Sequence, residues 1–424
     1  MDRKENVVTP AVQPSQKKIE FFNWRHHPVF LLVALAGLVV VAPYASNGTV
    51  VLLAIAFLNL EPLPLSVPRV YNLIRTPFGL FLAALVGWSF VTVFWAPEFM
   101  GSLFAWVRIT LLFLLGFSIL VIISRLDEDQ LSVARRVLAF AGLIILGLFA
   151  GEIMTDGAVS SLLKGRPIFG MEPVSRGTAI LAVIIWPVAV ILARHMTRQF
   201  FKILLPLLAV GTAYFLCKEL TFLASQLALM IGSVSFAFIY VFRRWALTLI
   251  LGGFALIAVS APVISLYVVN PAALQEMGVH LPEPQEHRLA IWSFVSDLTA
   301  DAPIIGHGFD SSRWIGGNYV ARLMAEHVEI PYTSGLLPLH PHNAVMQIWL
   351  ELGLVGILCL LGMIFGLYRM LLSYQQDRLV LAAGGAMLVT FISIASISFG
   401  IWQNWWLATG WLGAATFFLA ARKA

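Results

Sequence analysis

Charge is what this chain has least of: Asp, Glu, Lys and Arg together make up 12% of 424 residues, while 59% are hydrophobic. Soluble domains are about half apolar and about a quarter charged, so a soluble globular protein is excluded. Cysteine is nearly absent. Cys217 and Cys359 have no paired spacing, which excludes a disulfide framework and a cysteine zinc site. No P-loop is present, which argues against direct use of ATP, and no HExxH zinc motif occurs. The net charge of +5 comes from residues scattered over short connections, so it does not indicate nucleic acid.

What the chain has in abundance is apolar runs long enough to cross about 30 Å of hydrocarbon as helices, without the short alternating segments of a β-barrel. The pattern predicts an all-α integral membrane protein with about twelve transmembrane helices, near 28–43, 49–62, 78–95, 103–124, 136–154, 177–193, 201–217, 220–241, 245–270, 343–368, 379–398 and 402–421. The order is then a tail over 1–27, spans one to nine over 28–270, a long loop over 271–341 and spans ten to twelve over 342–424. Twelve-span alternation puts nineteen basic residues on one face and seven on the other, with Arg108 inside a span. By the positive-inside rule both termini are cytoplasmic and the long loop lies outside.

That loop is where titratable groups gather, since six of nine histidines lie between 271 and 343. A Pro-rich connector is expected through Pro284, followed by a surface helix from about Glu286 to Leu298 and a turn over 303–308. A second helical piece is expected from Ser311 to His327, then a loop to Pro341.

The loop closes on His340-Pro341-His342-Asn343. Asn343 is expected to cap the next span, whose free N–H groups favour an anion beside His342. Asn343, Gln347 and Glu351 recur every four residues, so they share one helix face, which must look into the bundle or a water-filled cavity. His340 and His342 have no nearby Cys or acidic partner and make a poor metal site. Arg288 runs against the charge bias, and a guanidinium suits phosphate oxygens. Arg176 and Lys218 stand at the outer mouths of their spans, and Arg108 lies within a span, facing either outward or the cavity.

These residues resemble the O-antigen ligase and polymerase superfamily of bacterial membrane glycosyltransferases. The pattern His-Asn-x3-Gln-x3-Glu-x-Gly-x2-Gly is met by His342, Asn343, Gln347, Glu351, Gly353 and Gly356. Arg-x3-Trp followed by Pro-x2-Gly-x-Gly is met by Arg288, Trp292, Pro303, Gly306 and Gly308. Where many members carry Ser-Arg-Gly, this chain has Ser225-Gln226-Leu227, so Arg176 or Lys218 is expected to supply that charge.

The resemblance implies a GT-C-like fold in the bacterial cytoplasmic membrane with a periplasmic active site. It implies transfer of a glycan from undecaprenyl pyrophosphate to a lipid A core sugar, without cofactor or metal and with inversion. His342 would be the general base and Arg288 the main pyrophosphate contact. Arg176, Lys218, His340, Asn343, Gln347, Glu351 and Arg108 are expected substrate contacts. O-antigen polymerase and protein O-oligosaccharyltransferase are the alternatives within the superfamily, and a secondary transporter is the remote one.

Overall fold

A computed structural model describes residues 63–164, 174–220, 222–317 and 337–422. The spans expected at 28–43 and 49–62 lie outside the described residues. Among the described residues the structure is helical and contains no strand. The helices are α1 (Leu63–Ile74), α2 (Pro77–Thr92), α3 (Phe99–Ser124), α4 (Glu128–Met154), α5 (Ala158–Lys164), α6 (Ser175–His195) and α7 (Gln199–Glu219). They continue with α8 (Leu223–Phe242), α9 (Arg244–Tyr267), α10 (Pro271–Glu276), α11 (Glu283–Asp301), α12 (Ala344–Leu372), α13 (Arg378–Ile397) and α14 (Asn404–Ala421).

Nine of these are long and apolar enough to cross a membrane among the described residues. They coincide with nine expected spans. The tenth expected there, α14, has 18 residues and is diluted by Asn404 and three tryptophans. It is nonetheless buried along most of its length, because it packs on α3 and α6.

The bundle is built around α6, which is almost wholly enclosed by protein, whereas α9 is mostly exposed on the outside of the bundle. Lipid tails are as apolar as leucine, so such helices associate through close packing. The face of α12 that meets α2 shows how. A Cβ on Gly362 would lie 2.2 Å from the Phe81 ring, and one on Gly366 would lie 2.3 Å from the Phe78 backbone.

Two ends of the bundle differ in chemistry. At one end Arg194 pairs with Asp377 at 2.6 Å, Arg135 donates to the Leu419 and Arg422 carbonyls, and Arg422 reaches the Ile123 carbonyl. Arginines near helix C-termini meet the carbonyls that those termini leave unpaired. The opposite end carries the long loop.

The loop corrects three expectations. Residues 271–284 are not a plain connector, because Asn270 caps the short α10 by accepting from Ala273 N–H at 2.7 Å. The surface helix is longer than expected, Glu283–Asp301, and it buries Ile291 and Val295 against α9 and α12. The second helical piece begins at Ser312, and residues 318–336, which hold the rest of it and His327, lie outside the described residues. The third correction concerns α12, expected as one regular span, which breaks at Gly353 (φ 62°, ψ −158°).

Candidate active site

The break in α12 is filled by the turn over 303–308. His307 N–H and Gly308 N–H donate to the carbonyls of Leu350 (2.8 Å) and Glu351 (3.0 Å), and the Trp88 indole takes that of Leu352 at 2.9 Å. On the far side of the break, Leu354 N–H donates to the Pro303 carbonyl at 2.9 Å and Val355 N–H to that of Ile304 at 3.3 Å. Helical groups orphaned inside a membrane span must find such partners.

The docking is backbone on backbone. A Cβ at Gly306 would lie 2.4 Å from the Glu351 carbonyl, and one at Gly353 would lie 2.4 Å from the Ile304 oxygen. Glycine is required at both positions because φ is also positive at both. The spaced glycines of the sequence are therefore two halves of one joint.

Gln347 and Glu351 face inward at this level, 2% and 0% exposed. The Glu351 carboxylate accepts from Asp310 N–H (2.9 Å), Ser312 hydroxyl (2.5 Å), the Gln347 amide (2.9 Å) and the Trp402 indole (2.6 Å). The Gln347 oxygen accepts Ile401 N–H at 2.9 Å. These contacts occupy the Glu351 carboxylate and the Gln347 amide, and Gln347 also lines the cleft beyond His340. Asn343 acts as the expected cap. Its side chain accepts from Val345 and Met346 N–H at 3.0 and 3.2 Å, so two of the N–H groups offered to a substrate anion are already taken.

His342 adopts φ 55°, a left-handed conformation that is rare outside glycine. It is held there from two sides. Its N–H donates to His340 Nδ1 at 3.2 Å, and its own Nδ1 lies 2.7 Å from the Ser398 carbonyl. A carbonyl can only accept, so Nδ1 carries the proton and Nε2 is left as a free base.

Burial lowers the pKa of His342 below its usual value. The Ser398 contact opposes this, and the charges of Arg288 and His287 reinforce it. His340 is pushed to about 3, mainly by burial and then by His342 and Arg313, so both rings are neutral at pH 7. Its Nε2 is 2.9 Å from the Gln403 amide, and its ring packs 4.4 Å from that of His342.

Arg288 comes to His342 on α11. One turn on, the Trp292 indole donates to the Pro341 carbonyl at 2.9 Å, which ties the helix to the residue before the histidine. This explains the Arg-x3-Trp spacing. Arg288 is half-buried, and burial draws its pKa down from the usual arginine range. The described residues give it no carboxylate partner.

Beyond His340 opens a cleft of about 230 Å³, lined among others by Arg108, Arg176, Arg313, Asp310, Gln403 and Trp405. Arg108 therefore faces the cavity. The Arg176 guanidinium lies 5.8 Å over the Trp405 ring. Two residues along α6, the Thr178 hydroxyl meets that of Ser225 at 3.1 Å. Lys218, exposed at the end of α7, is not among the cleft's lining residues.

Asp310 faces Arg313 at 3.4 Å. Burial raises its pKa, while Arg313 and Arg108 pull it down. Arg313, Asp310, Ser398, Trp402, Gln403 and Trp405 were not foreseen. Apart from the external position of Arg313, no sequence signal marked them, because they belong to segments distant in sequence from both motifs.

A neutral, oriented histidine, a half-buried arginine and an arginine-lined cleft gather at one end of the bundle and form the candidate site. Known proteins are similar to this chain. Residues 223–361 match the family described as O-Antigen ligase. A protein of Rickettsia conorii described as "Putative polysaccharide ligase" is 29% identical over 76% of this chain and 75% of its own. Proteins of the same description from Rickettsia felis and Rickettsia bellii are 28% and 26% identical, each over 80% of this chain and 81% of their own. These similarities support a membrane protein of the O-antigen ligase type, with the family match confined to residues 223–361.

Proposed function

We propose that the protein transfers a glycan from undecaprenyl pyrophosphate to a sugar hydroxyl of the lipid A core on the periplasmic face of the bacterial cytoplasmic membrane. The observation that carries this reading is the orientation of His342, with Nδ1 committed to Ser398 and Nε2 available next to Arg288. Nε2 takes the proton of the acceptor hydroxyl as its oxygen attacks the anomeric carbon. The bond to the pyrophosphate oxygen breaks on the opposite face, so configuration inverts.

The leaving group departs as an anion and needs cations rather than a proton donor. Arg288 supplies the first, and Arg176 with the rest of the cleft supplies others. Lys218 is left out of this set. The end holding Arg135, Arg194 and Arg422 is cytoplasmic, as the charge bias demands. The single long loop favours a ligase over a polymerase, and a protein acceptor is the remaining alternative.

Two measurements test the chemistry. A half-buried guanidinium gripping phosphate oxygens forms a fork that an ammonium cannot reproduce. Charge-assisted hydrogen bonds are worth about 1.5–3 kcal/mol, so Arg288→Lys is expected to lower kcat/KM about tenfold to a hundredfold. Unchanged turnover and donor affinity would remove Arg288 from the leaving-group site.

The acid limb of kcat/KM reports the base in free enzyme. Because the pKa of His342 is lowered, activity should be retained as pH falls through about 6.5, the unperturbed histidine value, and be lost only below it. An acid limb centred above that value would contradict the assignment.

A further inference from the structure

Gln347 and Glu351 have no chemical step in the proposed transfer, yet they are among the most enclosed polar side chains in the molecule. A carboxylate buried within a membrane span persists only where donors replace water. One of the four donors on Glu351, Gln347, lies on the same helix; the other three come from two separate segments, and each segment ends at a different functional group.

The first segment is the turn between α13 and α14. Trp402 is bound by Glu351, and Ile401 N–H by Gln347, which itself donates to Glu351. Ser398 precedes this pair and its carbonyl holds His342 Nδ1, while Gln403 follows it and meets His340 Nε2. The second segment is the stretch from Asp310 to Arg313. Glu351 takes Asp310 N–H and the Ser312 hydroxyl. Asp310 in turn faces Arg313, which lines the cleft.

We propose that Glu351 is a positioning residue for the transfer, a single carboxylate that sets the holder of the base through Trp402 and the arginine of the anion cleft through Ser312. The inference rests on His342 as the base. General packing would spread the effect of any cut over every kinetic parameter. Two arms with separate destinations make a different prediction, because one arm orients the base and the other shapes ground-state binding of the donor.

The experiment measures kcat and donor KM of the full-length protein, purified in detergent, with a lipid-linked glycan donor. Trp402→Phe cuts the first arm by removing the indole N–H; Trp402 also lines the cleft, and the variant keeps an aromatic ring in that lining and against Phe309, now 4.9 Å from Trp402. It is expected to lower kcat about tenfold or more, since misplacement of about 1 Å costs up to about a hundredfold, while KM stays within about twofold. Ser312→Ala cuts the second arm and is expected to raise donor KM about fivefold, the equivalent of one ordinary hydrogen bond, with kcat nearly unchanged. Glu351→Gln keeps the volume but presents an NH2 group to two donors, so it should change both parameters.

Should Trp402→Phe fail to accumulate, Trp402→Leu, which also removes the indole N–H, is read in the same way; Gln347→Met is not, because Gln347 also donates to Glu351 and Ser312. The proposal is overturned if the two arms change the same parameter to the same extent, or if Glu351→Gln keeps both within about twofold of wild type. Either result leaves the base assignment standing, because that assignment is tested separately by replacing His342.

Discussion

Replacing His342 by alanine is expected to lower kcat for glycan transfer by roughly 10²–10⁴-fold, the usual contribution of a positioned general base, while the protein still inserts and accumulates. The size of the effect follows from the local geometry. Nδ1 is committed to the Ser398 carbonyl, the main chain is fixed at φ 55°, and the His340 ring lies against its neighbour. The neighbouring His340 cannot take its place. His340 Nδ1 accepts the His342 N–H, and its Nε2 faces Gln403. His340 is also held at about 3, too weak a base to substitute. Turnover of the purified variant within a few fold of wild type would refute the role.

Gly353→Ala is expected to have the largest effect on stability. The backbone at φ 62°, ψ −158° lies in a region that is essentially reserved for glycine and costs other residues about 1–3 kcal/mol. The added Cβ would sit 2.4 Å from the Ile304 oxygen and 2.7 Å from Gly306 N. These are main-chain atoms that cannot rotate away, so overpacking adds about another 1–3 kcal/mol. The turn over 303–308 should unseat, exposing the unpaired groups of α12. Protease cleavage within residues 303–312, together with a fall in the thermal midpoint in detergent, is the expected readout. An unchanged midpoint and an intact turn would show that the joint is not needed. Gly87 makes a control, since a Cβ there meets nothing within 4 Å.

Much of this architecture was legible in the sequence because the membrane forces it to be. Apolar runs between charged ends have no alternative to spanning, so nine expected spans recur as helices. Asn343 could be read as a cap because capping is local, and the two motif halves could be read by their spacing. The sequence did not show why those halves belong together. A polar stripe of Asn343, Gln347 and Glu351 says which face looks inward but not who meets it. The partners, Asp310, Ser312, Ile401 and Trp402, arrive from segments distant in sequence.

The break at Gly353 was missed for a related reason. A glycine inside an apolar helix reads as a packing residue unless the inserted turn is known. Arg313 went unnoticed because an arginine on a polar loop is ordinary until a cleft gathers it with Arg108 and Arg176.

The most direct measurement reconstitutes the purified protein with a radiolabelled glycan on undecaprenyl pyrophosphate and offers lipid A core, a second lipid-linked glycan and a serine-containing peptide in competition. The account predicts label on the lipid A core, joined with inverted anomeric configuration and absent with His342→Ala. Label confined to another acceptor, a retained configuration, or no transfer to any of the three would contradict it.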